Sequence, residues 1–207
     1  LRIIDKNEIK KKEPLINCYS ALYIPTTGIM DSHGVMKRLE YEILSRGSFI
    51  LYQMKVENLQ KQSNHYILSF ENTNQKATSK IVINAAGLWA DEISKMIGIN
   101  DYKIHFCKGE YYKTSLYRNQ INTLVYPLPT QYSLGVHLVL HLDGTIGFGP
   151  SAYYLDKINY NMDNSNKKIF LNHICSFLDI KEKDLSEDFS GIRPKIQGLG
   201  ENHKDFI

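Results

Sequence analysis

The most informative segment of the sequence is Ile83-Asn84-Ala85-Ala86-Gly87-Leu88-Trp89-Ala90-Asp91. It continues an apolar run that starts at Ile81, and such a run predicts a strand buried on both faces over residues 80–85. Residues 91–97 then predict a short helix that ends at Gly98. Small residues between a buried strand and a helix let the backbone approach a flat or phosphorylated ligand closely. A tight packing turn without any ligand fits the same spacing equally well.

Upstream of this segment, strand and helix signals alternate. Residues 1–13 predict a connecting segment or short helix, and residues 18–25 predict a short strand. Asp31 and Ser32 are good N-cap residues for a helix that Gly47 ends. Beyond that helix, two strand patterns and a polar turn into a third predict a β-meander; they lie at residues 49–56, 65–71 and 72–75.

Strand signals dominate the second half of the chain. They occupy residues 102–114, 123–127, 134–142 and 145–148. Between the last two lies Asp143-Gly144, the strongest short-range signal for a hairpin. Helical patterns follow at residues 167–178 and 181–189. The sequence therefore predicts an α+β fold, with mixed helices and strands and an antiparallel sheet in its second half.

Composition and charge exclude several classes of protein. With 207 residues, of which 43% are hydrophobic, the chain has enough apolar material for a core. A net charge of +3 with scattered lysines gives no electrostatic footprint for nucleic acid. No stretch approaches the roughly 20 apolar residues of a transmembrane helix, and there is no Gly-x-Ser-x-Gly elbow of a hydrolase.

Three cysteines, Cys18, Cys107 and Cys175, are widely spaced and form no Cys-x-x-Cys pair. This usage suits a reducing cytosol and argues against a metal site. We therefore expect no metal and a cytoplasmic protein, with peripheral attachment to the inner membrane as an alternative.

Several motifs resemble one family in order and spacing. The segment Asn84–Ala90 resembles the second flavin-contacting motif of the D-amino-acid-oxidase superfamily of FAD-dependent oxidoreductases, which includes glycerol-3-phosphate dehydrogenase. Further blocks are similar to the L-2-hydroxyglutarate dehydrogenase branch: Pro25–Asp31, Lys108-Gly109-Glu110-Tyr111-Tyr112, Tyr126-Pro127-Leu128-Pro129, Leu134-Gly135-Val136-His137, Leu142–Pro150 and Gly191-Ile192-Arg193-Pro194-Lys195. The resemblance covers nearly the whole chain.

This resemblance implies an incomplete FAD-binding domain joined to an antiparallel-sheet substrate-binding domain with flanking helices. Residues 1–24 would be a connecting segment or the start of the substrate domain, and residues 25–100 part of the FAD-binding domain with the β-meander. Residues 101–190 would form the substrate domain, and residues 191–207 would return to the FAD-binding domain. We expect sequence to be missing on both sides.

The resemblance also implies FAD as the cofactor of the complete enzyme. The family holds the FAD pyrophosphate on a Gly-x-Gly-x-x-Gly turn after its first strand, and the 207 residues contain no such turn. We therefore expect the isolated chain to bind FAD weakly or not at all. The first hypothesis is part of an enzyme that oxidises a small 2-hydroxy acid by hydride transfer to FAD and is completed by sequence missing at both ends. The alternative is a truncated, catalytically silent remnant, or a subunit that contributes the substrate half to a separate chain carrying the Gly-rich half.

For a small 2-hydroxy acid as substrate, the resemblance implies two catalytic residues. His137 is the candidate base for the hydroxyl proton, and Arg193 is the candidate cation for the carboxylate. A strand histidine that is merely hydrogen-bonded and a surface salt bridge are the structural alternatives. Where the family has Thr-Pro after the histidine segment, this chain has Val139-Leu140, which leaves the substrate open.

The remaining candidates contact the cofactor or the substrate. Asp91 is expected to cap or charge the first turn of its helix rather than act in chemistry, and Trp89 is expected in the core rather than stacked on flavin. His141 lies on the same face of its strand as His137 and is secondary. The cofactor candidates are Asn84, Ala85, Ala86, Gly87, Leu88 and Trp89, and the substrate candidates are Lys108, Glu110 and Tyr126.

Overall fold

The computed structural model describes residues 1–128, 135–202 and 204. In chain order its strands and helices are β1 (Arg2–Asp5), α1 (Lys6–Lys12), β2 (Ser20–Tyr23), α2 (Ser32–Ser45), β3 (Val56–Lys61), β4 (Tyr66–Phe70), β5 (Lys76–Ser79), α3 (Ala90–Lys95), β6 (His105–Thr114), β7 (His137–Leu140), β8 (Ile146–Gly149), β9 (Tyr153–Leu155), α4 (Lys167–Ile174) and β10 (Ser186–Lys195). Short 3-10 turns lie at Gly87–Trp89, Asn164–Asn166 and Glu182–Asp184. The predicted mixture of helices and antiparallel strands is confirmed.

The chain divides into two compact units. Unit 1 comprises Leu1–Asp31 and Cys107–Ile192, and unit 2 comprises Ser32–Phe106 and Arg193–Ile207. The chain passes from one unit to the other within or beside α2, β6 and β10. The substrate-binding and flavin-binding roles assigned to the two parts from the sequence stay predictions.

Unit 1 is built on a five-stranded sheet in the order β10-β6-β8-β7, with β9 also paired to β6. Strand β8 runs antiparallel to both β6 and β7. The predicted hairpin at Asp143-Gly144 is confirmed, because β7 and β8 pair on either side of it and Gly144 takes a φ of 83°. Gly144 N donates to His141 O over 3.0 Å and closes the turn.

One side of this sheet carries the main hydrophobic core. The rings of Tyr112 on β6 and Phe148 on β8 are fully buried, as is Ile174 at the end of α4. The Phe170 ring of α4 meets Tyr112 edge-on, with ring centroids 4.8 Å apart. The apolar face of α4 therefore holds the helix against the sheet.

Two sequence predictions for unit 1 are wrong in part. Residues 1–13 hold the expected short helix, α1, but also the unexpected strand β1, which pairs antiparallel with β2. Residues 181–189 contain a single 3-10 turn, and β10 begins at Ser186 instead of a helix. In both cases strand pairing with a distant segment overrides the local pattern.

Unit 2 contains the predicted β-meander and helix. Strands β3, β4 and β5 pair antiparallel in that order, but the first strand begins at Val56 rather than Phe49. Helix α2 begins at Ser32, and Gly47 follows it with a φ of 76°. The meander and the helix end are therefore confirmed.

The predicted buried strand over residues 80–85 is wrong. Residues 81–86 form neither helix nor strand, and the side chains of Ile81 and Ile83 are 76% and 86% exposed. An apolar run becomes a strand only when a neighbour supplies hydrogen bonds, and the described part of the chain pairs no strand with it. Helix α2 likewise has no buried residue, although it carries Val35, Leu39 and Ile43 at helical spacing.

A buried carboxylate ties two parts of unit 1 together on the side of the sheet where α4 packs. The side chain of Glu110, on β6, is fully buried. Its Oε1 accepts hydrogen bonds from the Tyr153 hydroxyl at 2.8 Å and from the Asp163 backbone amide at 2.9 Å. Its Oε2 accepts from Asn166 Nδ2 at 3.1 Å. One side chain thereby ties the middle strand to the segment that leads into α4.

The ammonium group of Lys108 completes this arrangement. Lys108 is also buried; its Nζ lies 3.2 Å from Glu110 Oε1 and donates to the Asn161 carbonyl. Burial, followed by the hydrogen bond to Glu110, raises the pKa of Tyr153, so this hydroxyl stays a donor. Charges as deeply buried as these persist because each is paired and hydrogen-bonded.

Replacing Glu110 with Ala should strongly destabilise the chain. The change removes the acceptor of three hydrogen bonds and leaves the Lys108 ammonium buried without its counter-ion, which costs about 3–5 kcal/mol. Urea unfolding of the variant measures the loss. The matched control is Glu187→Ala, at an exposed position on β10, which should stay within about 0.5 kcal/mol of the original chain. Equal stability of the two variants would contradict the role given to Glu110.

Candidate functional site

In unit 2 the side chain of Asn84 sets the bend that precedes α3. Asn84 Oδ1 accepts from the Ala86 backbone amide at 3.2 Å. Asn84 Nδ2 donates to Ala90 O at 2.7 Å and to Ser94 Oγ at 3.2 Å. The side-chain amide of Asn84, which the sequence predicts as a cofactor contact, therefore fixes the backbone of the bend by hydrogen bonds to the bend and to α3.

The residues after Asn84 present small side chains to solvent. Ala85 and Gly87 are exposed, and Gly87 takes a left-handed φ of 56°. No described atom lies within 4 Å of the place that a Cβ at Gly87 would occupy. Leu88 is buried, whereas Trp89 is 49% exposed, so the expectation that Trp89 belongs to the core is wrong. A flat cofactor can approach positions 85–87 without a clash, and these residues therefore fit the predicted flavin contact.

Asp91 has the helix-end role that the sequence predicted. It lies in the first turn of α3 and forms an ion pair with Lys95 at 2.8 Å. Burial opposes its ionisation, but the hydrogen bonds from Lys95 and from the Ile104 backbone prevail and lower the pKa of Asp91. The carboxylate is committed to stabilising the helix.

In unit 1 the imidazole of His137 is buried and held from two sides. His137, the first residue of β7, is 8% exposed. Its Nδ1 lies 3.2 Å from the Gly135 carbonyl oxygen, and a carbonyl can only accept, so Nδ1 carries the proton in the neutral ring. The ring of Tyr126 stacks on it, with centroids 4.4 Å apart and planes 21° from parallel. In this tautomer Nε2 carries the lone pair that a general base uses.

The strand predicted at residues 123–127 is reduced to a single bridge. Leu138 N donates to Val125 O at 2.8 Å, and Val125 N donates back to Leu138 O at 3.4 Å. This bridge brings Tyr126 beside β7. The predicted motif residues Pro129 and Leu134 lie outside the described residues.

The other predicted site residues fall into separate groups. Lys108 and Glu110 belong to the buried network on the α4 side of the sheet, so their described contacts are with other residues of the chain. Arg193 lies near the end of β10 in unit 2 and is exposed, and no salt bridge to it occurs within residues 1–128, 135–202 and 204. Of the residues predicted for catalysis and substrate binding, the structure brings two pairs into direct contact, His137 with Tyr126 and Lys108 with Glu110.

Sequence reasoning missed the partners of these residues. Tyr153 and Asn166 bind Glu110 from 43 and 56 positions away, and no local pattern marks them. The sequence predicts His141 on the same strand face as His137, but His141 follows the end of β7, and its Nε2 lies 3.2 Å from Asp188 Oδ2.

In the part of the chain that the structure describes, no three His, Cys, Asp or Glu side chains gather as a metal site would require. No described helix has the length and apolar character needed to cross a membrane.

Curated relatives agree on one kind of enzyme. The chain is 27% identical to the mitochondrial L-2-hydroxyglutarate dehydrogenase of Arabidopsis thaliana, in an alignment that covers 100% of the chain and 52% of the relative. It is 30% identical to L-2-hydroxyglutarate dehydrogenase of Escherichia coli K12, covering 96% of the chain and 46% of the relative. The chain thus spans about half the length of these relatives.

Solved structures share the fold. The chain matches FAD-bound L-alpha-glycerophosphate oxidase from Mycoplasma pneumoniae with a TM-score of 0.83 at 21% identity, over 96% of the chain and 54% of the oxidase. L-proline dehydrogenase from P. horikoshii matches with a TM-score of 0.79 at 18% identity, over 96% of the chain and 53% of that protein. The profile of the FAD dependent oxidoreductase family, DAO, matches residues 1–206. The resemblance of the motifs is thereby confirmed, and the chain belongs to the DAO family of FAD-dependent oxidoreductases.

Proposed function

We propose that the chain forms part of an FAD-dependent enzyme that oxidises a small 2-hydroxy acid of the L-2-hydroxyglutarate type. The observation that carries the proposal is a buried histidine, His137, whose tautomer presents Nε2 as a base. The relatives support the proposal, because proteins that are 27% and 30% identical to the chain are named L-2-hydroxyglutarate dehydrogenase.

The chemistry assigns a defined task to His137. Oxidation of the substrate alcohol to a ketone removes a proton from the hydroxyl group and a hydride from the same carbon. His137 Nε2 accepts the proton, because the Gly135 carbonyl keeps Nδ1 protonated. FAD, when bound, supplies the acceptor for the hydride.

The other residues recognise the substrate and the cofactor. Arg193 is exposed on β10 and offers a permanently charged, planar fork to the substrate carboxylate. The half-exposed Tyr126 lines the substrate side of His137. Lys108 and Glu110 hold the sheet in place through their buried network, on the face opposite His137. The bend at Asn84, Ala85, Ala86, Gly87, Leu88 and Trp89 lies against the cofactor.

A second candidate is a split enzyme, in which a separate chain carries the Gly-rich half. Ile81 and Ile83 are exposed in unit 2 and α2 buries no residue. Exposed apolar side chains of this kind suit a surface that the other half of the enzyme covers, and the split enzyme assigns that half to a second polypeptide. The non-enzymatic version of this candidate is a silent remnant or a non-catalytic subunit that contributes only the substrate half.

The 207-residue chain alone should retain little or no FAD. It offers the bend at 85–87 but none of the Gly-x-Gly-x-x-Gly amides that hold a pyrophosphate. Absorbance of the purified chain after incubation with FAD and gel filtration measures retention. Stoichiometric flavin in the protein peak would refute the expectation. Flavin that appears only after a polypeptide with the Gly-rich half is added would favour the split enzyme.

Replacing His137 with Gln should slow flavin reduction in the complete or reassembled enzyme. Loss of a positioned general base costs about 10²–10⁴ in kcat, and Gln keeps much of the size of the ring without a titratable nitrogen. Single-turnover bleaching of the flavin by an L-2-hydroxy acid provides the measurement, with Tyr160→Phe as a control at a half-exposed position of unit 1. Undiminished reduction by the Gln variant would remove His137 from the mechanism.

Replacing Arg193 with Met should raise KM more than it lowers kcat. The lost hydrogen bonds to a charged carboxylate are worth roughly 1.5–3 kcal/mol, or about tenfold to hundredfold in KM. Steady-state kinetics of the complete enzyme tests this, with Arg46→Met, at an exposed position after α2, as the matched control. An unchanged KM in the Arg193 variant would count against carboxylate binding by this residue.

A further inference from the structure

The aromatic stack on His137 has a role that the proposed function leaves unassigned. We infer that Tyr126 is a positioning residue: its ring fixes the plane of the His137 imidazole, so that the Gly135 carbonyl can fix its tautomer. The structural part of this inference stands on geometry alone. Its catalytic consequence rests on the proposed function.

Backbone pairing explains why the two rings meet. Val125 is bridged antiparallel to Leu138, so the next residue along one strand, Tyr126, lies opposite the preceding residue of the other, His137. Side chains directly opposite each other in an antiparallel pair have Cβ atoms roughly 4.5–5.5 Å apart. A ring-centroid distance of 4.4 Å is therefore that of a cross-strand pair whose members stack.

The turn next to this pair is shaped to allow the contact. Gly135 takes a φ of 77°, and a Cβ at that position would lie 3.0 Å from Pro127 Cγ. A glycine therefore lets the 135 carbonyl approach His137 Nδ1 while Pro127 packs beside it.

Two contacts restrict two different motions of the imidazole. The Tyr126 ring defines the plane in which the imidazole lies, but stacking does not distinguish the two orientations related by a ring flip. The hydrogen bond between Nδ1 and Gly135 O does distinguish them, because the flip would put a carbon at the position of the nitrogen. Together the contacts define where Nε2 points.

The stack requires the ring of Tyr126 and not its hydroxyl. The side chain is about half exposed, and among the described residues the structure shows stacking, not a hydrogen bond of the phenol. Phenylalanine at position 126 should therefore keep the His137 geometry, and leucine should lose it. If Tyr126 instead bound substrate through its hydroxyl, the Phe and Leu variants would lose activity to the same extent.

Nuclear magnetic resonance of the 207-residue chain, labelled with ¹⁵N-histidine, tests the inference without FAD. Long-range ¹H–¹⁵N spectra report which ring nitrogen carries the proton, and His137→Gln assigns the resonances. The original chain and Tyr126→Phe should both show an Nδ1-protonated His137 with ring protons shifted upfield by the neighbouring aromatic face. Tyr126→Leu should lose the upfield shift and show averaging of the two tautomers.

Tyr160→Leu is the matched control, since Tyr160 is 52% exposed in the same unit, and its His137 signals should stay unchanged. Retention of the tautomer and the ring-proton shifts in Tyr126→Leu would overturn the inference. Their equal loss in the Phe variant would overturn it as well, because the hydroxyl would then be required. If Tyr126→Leu does not fold, two results would still overturn the inference: loss of the ring-proton shifts in Tyr126→Phe, or an Nε2-protonated His137 in the original chain.

A kinetic measurement on the complete enzyme separates this inference from the proposed function. Misplacement of a reacting group by about 1 Å can cost roughly 10²-fold in rate, so Tyr126→Leu should lower kcat by about tenfold to hundredfold with little change in KM. Tyr126→Phe should restore most of the rate. If the spectra change as expected and kcat does not, the positioning role stands and the assignment of His137 as the base fails.

Discussion

The carboxylate of Glu110 is withdrawn from water on an internal strand, and unit 1 is arranged around the groups that satisfy it. Tyr153 approaches it from β9, and Asp163 and Asn166 approach it from the segment between β9 and α4. That segment delivers α4 onto the sheet, where Phe170 packs on Tyr112. An unpaired buried charge is so costly that this segment cannot leave the strand without large loss of stability. The sheet that carries His137 is therefore tied down on the face opposite His137, which suits a site whose geometry must be kept.

The bend in unit 2 is likewise held by the hydrogen bonds of one polar side chain, which here is neutral. Asn84 satisfies three polar partners in the turn before α3, and it leaves the small residues after it facing outward. A surface meant for close approach by a ligand needs a backbone that is fixed and side chains that are absent. In both units, polar side chains that the sequence predicts as ligand contacts also hydrogen-bond within the chain, and their contacts with a ligand stay predictions.

Local sequence patterns correctly predicted those structural elements that are determined by residues adjacent in the sequence. The helix start at Ser32, the glycine at 47 and the Asp143-Gly144 turn each depend on a few neighbouring residues, and all three appear where the pattern placed them. Residues 186–195 became a strand because they pair with β6, some 75 positions away along the chain. Composition and spacing cannot encode that pairing. The same limit applies to the site: the motif resemblance singled out His137 and Tyr126, but their stacking depends on a backbone bridge between residues 125 and 138.

The outward-facing isoleucines at 81 and 83 have a consequence for how such a polypeptide behaves in solution. Exposed β-branched side chains in a run that pairs with no described strand can associate with a like segment of another chain. Lys80 is the one flanking charge that opposes it directly. In the 207 residues by themselves this segment favours self-association as concentration rises, and covering the two isoleucines removes that tendency.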